Sequence, residues 1–274
     1  MISAWQEAAS PVLDRVRQDL PTRQLAALRV VAMTSDADVG VADIAPHVAR
    51  DAGLAARVLR AANSAHYGLV GRATTVHFAV SVIGFQTLRA IAAGVAAGLG
   101  RTTPLPDGYV ERDATTAVAA QLLAPPAGAD PSECYGVGLL HNLGDWLLHL
   151  YDPVGTARLR AAHQGDLVRL ADAQHHRYGC TSGQLAAALL ATWQLPARFV
   201  EPIGNQHDLD LVSDDAATIV LQAALALTAT SVDDATELTG HQRARLHACG
   251  VAPDTSEVLD RIRTDASWIT DLLR

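Results

Sequence analysis

At 274 residues, 49% hydrophobic and 18% charged, the chain has material for one large core or two medium ones, and its composition excludes disorder. A net charge of −8 and a pI near 5.7 exclude a sequence-independent grip on nucleic acid, which needs a concentrated cationic face to displace counterions. Aromatics are only 4%, and the apolar content is mainly Ala, Leu and Val; Ala and Leu lose little side-chain freedom in a helix, so the composition leans all-α.

Helical spacing of apolar residues runs through 12–20 and 25–33, breaks at Asp38–Gly40 and resumes over Val41–Asp51 with Ile44 and Val48. After Gly53 a short amphipathic helix leads into Ala61-Ala62-Asn63-Ser64, and Tyr67–Gly71 reads as a loop. Two helices follow, Val76–Ile83 and Phe85–Leu99, with Gly84 at their junction. The prolines and glycine of Arg101–Gly108 mark a boundary, dividing the chain into 1–105 and 106–274. Downstream, helices are expected near Tyr109–Ala124, Ser132–Tyr151, Pro153–His163, Leu167–Arg177, Gly183–Trp193, Pro196–Asn205, Asp214–Thr230, Thr239–His247 and Ser256–Leu273. No stretch shows the sustained period-2 alternation of a sheet. The expected fold is all-α, a multi-helix bundle of two packed helical subdomains.

Cys134, Cys180 and Cys249 fit no metal or redox spacing, and each is expected to be a small buried hydrophobe in a reducing cytosol. The N-terminus lacks a basic region followed by an apolar run. Ala90–Gly100 and Ala216–Thr230, the most apolar stretches, fall short of the ~20 residues that span a bilayer. A cytoplasmic protein without a membrane segment is expected. Arg50, Arg57, Arg60, Arg72 and Arg89 could form a basic patch, but arginines on helix faces are ordinarily solvated, and that reading is preferred.

Three segments then carry a family resemblance. Leu54-Ala55-Ala56-Arg57-Val58-Leu59-Arg60-Ala61-Ala62-Asn63-Ser64-Ala65-His66-Tyr67-Gly68, followed by Val76–Gly84, resembles the most recognisable stretch of the HDOD family. Gly136-Val137-Gly138-Leu139-Leu140-His141-Asn142-Leu143-Gly144-Asp145 is similar to the "G-L-L-H-D-I-G" segment shared with HD-domain phosphohydrolases, and Trp193-Gln194-Leu195-Pro196 to the family's "W-x-L-P". The resemblance implies an HD-like helical bundle in which Asn63, Ser64, Tyr67, Gly84, Trp193 and Pro196 are framework residues. Asn63-Ser64 is expected to cap a helix, since Asn tolerates the left-handed conformation that ends one.

The resemblance also locates a metal site to test. An HD hydrolase converges several imidazoles and carboxylates on one or two divalent ions, which then generate a hydroxide nucleophile. Here His141 is followed by Asn142 where the pattern has Asp, and a neutral amide is a weak ligand for a hard cation. The next position falls on Ser182, the later "H-H" becomes Gln206-His207, and the last acid is replaced near Ala224. The first His of the pattern falls at Arg112 or Asp113. His141, Asn142, Ser182 and His207 thus read as vestigial positions; no metal, cofactor or catalytic residue is expected.

His149 lies two turns beyond His141 along a continuous helix, and His175-His176 point about 100° apart, so neither repairs the site. Cys180 with His175 and His176 is the one place for a thiolate–imidazole pair, though their nearness in sequence reads as chance. The expected function is non-catalytic regulation in bacterial signal transduction, through an unknown protein partner or a small signalling molecule. A nucleotide held by Arg57, Arg60 or Arg112 is a possible ligand, and nucleic acid and membrane are not expected. The alternative is a metal-dependent HD phosphohydrolase acting on a nucleotide or cyclic dinucleotide.

Overall fold

The computed structural model describes residues 2–16, 23–34, 36, 38–69, 71–96, 108–163, 166–192, 195–208, 215–229, 240–250 and 256–273. Among them the helices are α1 (Ile2–Val16), α2 (Arg23–Met33), α3 (Val41–Ala49), α4 (Ala52–Ala62) and α5 (Val76–Ala96). The middle of the chain forms α6 (Tyr109–Leu123), α7 (Pro131–Leu140), α8 (Leu143–Tyr151), α9 (Pro153–Ala162) and α10 (Leu167–Tyr178). Then come α11 (Ser182–Thr192), α12 (Ala197–Gly204), α13 (Ala216–Ala229), α14 (Gly240–Ala248) and α15 (Ser256–Leu273). The described residues contain no strand, and the chain is all-α.

Many helix starts follow from local chemistry. Asp130, Asp152 and Asp166 accept backbone N–H bonds in the first turns of α7, α9 and α10, and Pro131 and Pro153 occupy positions where no N–H is needed. Asp51 does the same for α4, accepting from Gly53 N at 2.8 Å and Leu54 N at 2.9 Å. Gly179, at φ 80°, ends α10 in the left-handed conformation.

The chain folds into two compact units. The smaller comprises Leu20–Pro104 and Ile269–Arg274, the larger Met1–Asp19 and Leu105–Trp268. The sequence division places the first helix in the N-terminal half; instead α1 packs on α8, α11 and α12, with Trp5 laid against Gly204. The boundary segment itself, residues 101–107, lies outside the described residues, as does Trp193.

In the smaller unit α5 packs on α2, α3 and α4 around Ile44, Leu54 and Leu88. The two helices expected to meet at Gly84 do so: within α5, Gly84 at φ 72° and ψ 168° is non-helical, a conformation only glycine adopts readily, and it kinks one helical segment against the next. This helix is long and apolar enough to cross a membrane, unlike the shorter stretch judged from sequence, and 61% of its most apolar window is buried in the protein. In the larger unit α6 lies along α7, α13 packs on α6, α7, α12 and α14, and α11 packs on α1, α8 and α12. Trp146, Tyr109, Tyr135, Phe199 and Leu143 fill the core.

One expected helix is two. Residues 132–151 break at His141 and Asn142, which form the turn between α7 and α8. The apolar spacing continues across the break because both helices bury that side, so periodicity does not register it. His149 is therefore not two turns along the same helix as His141.

Candidate functional site

The polar positions singled out in the second half gather in the larger unit, where α6, the α7–α8 turn, the start of α11 and the turn after α12 approach one another. The backbones come very close here. A Cβ on Gly144 would sit 1.8 Å from the Ser182 carbonyl oxygen, and one on Gly183 would sit 2.6 Å from that of Ile203. Glycine at these points lets α8 seat against the N-terminus of α11.

His141 is buried, and its Nδ1 donates to the Gly138 carbonyl at 2.6 Å. A carbonyl can only accept, so Nδ1 carries the proton and Nε2 is the remaining acceptor. The His141 carbonyl, freed where α7 ends, accepts from Gln206 Nε2 at 3.1 Å. Gln222 on α13 fastens the same turn, donating to the carbonyls of Asn205 and Asp208, each at 2.9 Å. Burial pushes His141 down to about 4 from an ordinary 6.5, against the Gly138 bond. Burial likewise pushes His207 down to about 4, with the charge of His141 adding to the effect.

Opposite them, α6 contributes Tyr109 and Asp113, both buried. Asp113 and Asn142 face one another, with the Tyr109 hydroxyl beside the same carboxyl. Burial raises Asp113 well above the usual carboxylate range, and the Asn142 side chain and the Arg112 charge offset it only in part. Tyr109 Oη, Asp113 Oδ1 and Asn142 Nδ2 are buried without a hydrogen-bond partner among the described residues.

A second carboxylate, Asp145 on α8, is raised by burial and pulled back by Arg160 of α9, with which it forms an ion pair. Gln174 of α10 extends this network, donating to Asp145 Oδ1 at 3.5 Å and accepting from Ser182 N at 2.9 Å.

These donors do not fit a divalent metal. His141 uses one ring nitrogen on its own helix, Asn142 and Ser182 are neutral, and Asp145 is committed to Arg160. Among the described residues no group of three or more His, Cys, Asp or Glu side chains is placed to hold an ion. The orphaned Asp113 oxygen is a single donor whose ionisation burial opposes, short of the set a hard cation needs.

The other sequence candidates lie elsewhere. Asn63 ends α4 at φ −88°, not in the left-handed region expected of it. Its side chain acts instead: Nδ2 donates to Leu59 O at 3.0 Å and Ala73 O at 2.8 Å, and Oδ1 accepts from Ala73 N at 3.0 Å. Ser64 precedes a 3-10 turn, Ala65–Tyr67, where a plain loop was expected. The Tyr67 hydroxyl lies 3.1 Å from Thr87 Oγ1 and reaches the Ile83 carbonyl at 3.5 Å, beside the Gly84 kink. Pro196 precedes α12.

Arg57 and Arg60 lie on α4 and Arg112 on α6, in different units. Arg89 is no solvated face: it is 1% exposed, with Nε donating to Thr34 Oγ1 at 3.0 Å at the end of α2. Cys180 is buried and pushed up to about 11 by desolvation, while His175 and His176 are exposed, which excludes an activated thiolate there. Sequence reasoning missed the Asp145–Arg160–Gln174 network and the partnering of Gln206 with His141. Asp145, with Arg160 on the following helix, was the available signal.

Comparison with known proteins agrees with this architecture. A protein of Marinobacter aquaeolei VT8, its name placing it provisionally in signal transduction, matches at a TM-score of 0.76 and 23% identity, over 99% of this chain and 66% of that one. A Geobacter sulfurreducens HDOD domain protein of unknown function matches at 0.67 and 21%, over 100% and 98%. A Shewanella amazonensis SB2B protein, named provisionally as a phosphohydrolase, matches at 0.66 and 22%, over 96% and 98%. An uncharacterised protein of Treponema pallidum (strain Nichols) is 25% identical over 80% of this chain, which spans 43% of that protein's length. The HDOD domain itself matches residues 20–209, and the chain belongs to the HDOD domain family.

Proposed function

We propose that this chain is a bacterial, cytoplasmic signal-transduction module that regulates by binding a protein partner or small signalling molecule and catalyses nothing. The observation that carries the reading is how the polar positions of the HD-like site are occupied. His141 Nδ1 is bonded to the Gly138 carbonyl, neutral Asn142 faces Asp113, and the Ser182 position offers a hydroxyl with its backbone N–H on Gln174. Metal-dependent hydrolysis needs a converging set of imidazole and charged ligands, whereas here Asn142 and Ser182 are neutral, His141 Nδ1 is bonded to a carbonyl and Asp145 is paired with Arg160. The fold shared with the Marinobacter protein supports the signalling part of the reading.

A second reading keeps a metal-dependent phosphohydrolase. Its support is the proximity of His141 and His207, whose charges are coupled. Calorimetric titration with manganese, nickel and zinc, beside hydrolysis assays on nucleotides and cyclic dinucleotides, separates the two. The expected result is no stoichiometric tight binding and no turnover. Turnover that disappears in His141→Ala would overturn the binding reading.

A further inference from the structure

Residues 52–106 contain five arginines and no aspartate or glutamate, where the chain average of 29 acids in 274 residues would place about six. Arg89 is used inside the smaller unit. Arg60 and Arg72 are exposed, as are His77 and Phe78, the last at 44%. The topology brings these four to one end of the α4–α5 pair. Arg60 sits in the last turn of α4. The bonds from Asn63 to Ala73 hold Arg72 next to that helix end, and His77 and Phe78 open α5. Arg57, one turn back on α4, feels the charge of Arg60.

Acids of the same unit do not lie in this segment. Asp51 is buried and caps α4, Asp43 binds Gly40 N, and Asp36 binds Asp38 N. The ion pairs between described residues, such as Arg160–Asp145 and Arg198–Glu133, all fall in the larger unit.

We propose that this end of the α4–α5 pair docks an acidic segment of a partner protein, with Phe78 receiving an apolar side chain among its charges. Exposed arginines on a segment that contains no acid steer an oppositely charged partner, and arginine with an exposed aromatic ring is the composition that anchors an interface. A nucleic acid fits less well. Sequence-independent binding draws on roughly six to ten phosphate contacts, more than this end of the unit presents, and the chain as a whole is anionic. The assignment rests on the reading that the chain acts by binding.

The test uses the full chain and a short fluorescein-labelled peptide of alternating Glu and Asp with a central Leu, read by anisotropy at low salt. The expected result is saturable binding that weakens with salt. R60E combined with R72E should lower the affinity at least about tenfold. Phe78→Ser should weaken it as well, and Arg243→Glu on α14 should leave it unchanged. Where the double reversal loses helical circular dichroism, R60Q with R72Q replaces it.

No peptide binding, binding indifferent to Arg60 and Arg72, or equal binding of a single-stranded oligonucleotide of matched charge would overturn the assignment. Hydrolysis assays on the same preparation keep the two readings apart. Turnover overturns the non-catalytic function, whereas absent peptide binding without turnover overturns the docking surface alone.

Discussion

In the smaller unit polar side chains close backbone ends: Arg89 at the end of α2, Asp51 at the start of α4 through Oδ1 while its Oδ2 is unmatched, and half-buried Asn63 and Tyr67 across the following loop and beside the kink in α5. In the larger unit the buried polar groups converge from several helices, and Tyr109, Asp113 and Asn142 each leave an atom unmatched. The first pattern is architecture, because each group satisfies carbonyls or amides that the fold must otherwise bury bare. The second is a convergence of polar groups from several helices that burial leaves partly unsatisfied. Its members are held by position and not by mutual fit.

The contrast predicts opposite responses to mutation. Arg89→Ala removes a buried guanidinium and leaves the end of α2 unsatisfied, so a loss of about 3–5 kcal/mol is expected. Chemical denaturation followed by hydrogen exchange should show the earliest opening in α2 and α5. A loss below 1 kcal/mol (about fivefold in the folding equilibrium) would remove Arg89 from the architectural class.

In the larger unit the pH dependence comes next. His141 and His207 each go from an ordinary 6.5 to about 4 on folding. The unfolded chain therefore binds more protons between these values, and the stability contributed is full above about 6.5 and lost as pH falls toward 4. Each histidine accounts for on the order of 3 kcal/mol across that window. Denaturant midpoints measured from pH 7 to pH 4 should fall, and His207→Gln should flatten the slope. A slope unchanged by that variant would place His207 in solvent.

Asn63→Ala comes third, because it strands the N–H and carbonyl of buried Ala73, with an expected loss of about 2 kcal/mol. Asp113→Asn is the smallest and of opposite sign. Burial raises the pKa of this carboxyl, so its cost is absent at low pH and grows as pH rises through the unfolded value. The amide should stabilise the larger unit by about 1 kcal/mol at pH 8 and leave it unchanged near pH 4, as thermal unfolding would show. Destabilisation at pH 8 would mean that the charged form is held by partners.

These differences also explain what the sequence could disclose. Helix starts at Pro131 and Pro153 were legible because proline and the preceding aspartate act locally. The turn at His141–Asn142 was not, since Leu139, Leu140, Leu143 and Leu147 keep an unbroken helical spacing across it. That Asn142 stands where the resemblance has Asp was legible, yet the acid that faces it, Asp113, comes from a different helix and no local rule pairs them. Arg89 was misread for a related reason. Charge in an apolar helix signals a solvated face unless a distant helix end, here Thr34, needs its donors.

The placement of Asn142 against Asp113 bears on how this turn would receive a second acid. An aspartate at 142 would put a second carboxyl beside one whose ionisation burial already opposes, and each would make the charged form of the other harder to reach. The substitution would therefore cost stability as pH rises, so this turn tolerates a neutral amide better than an acid.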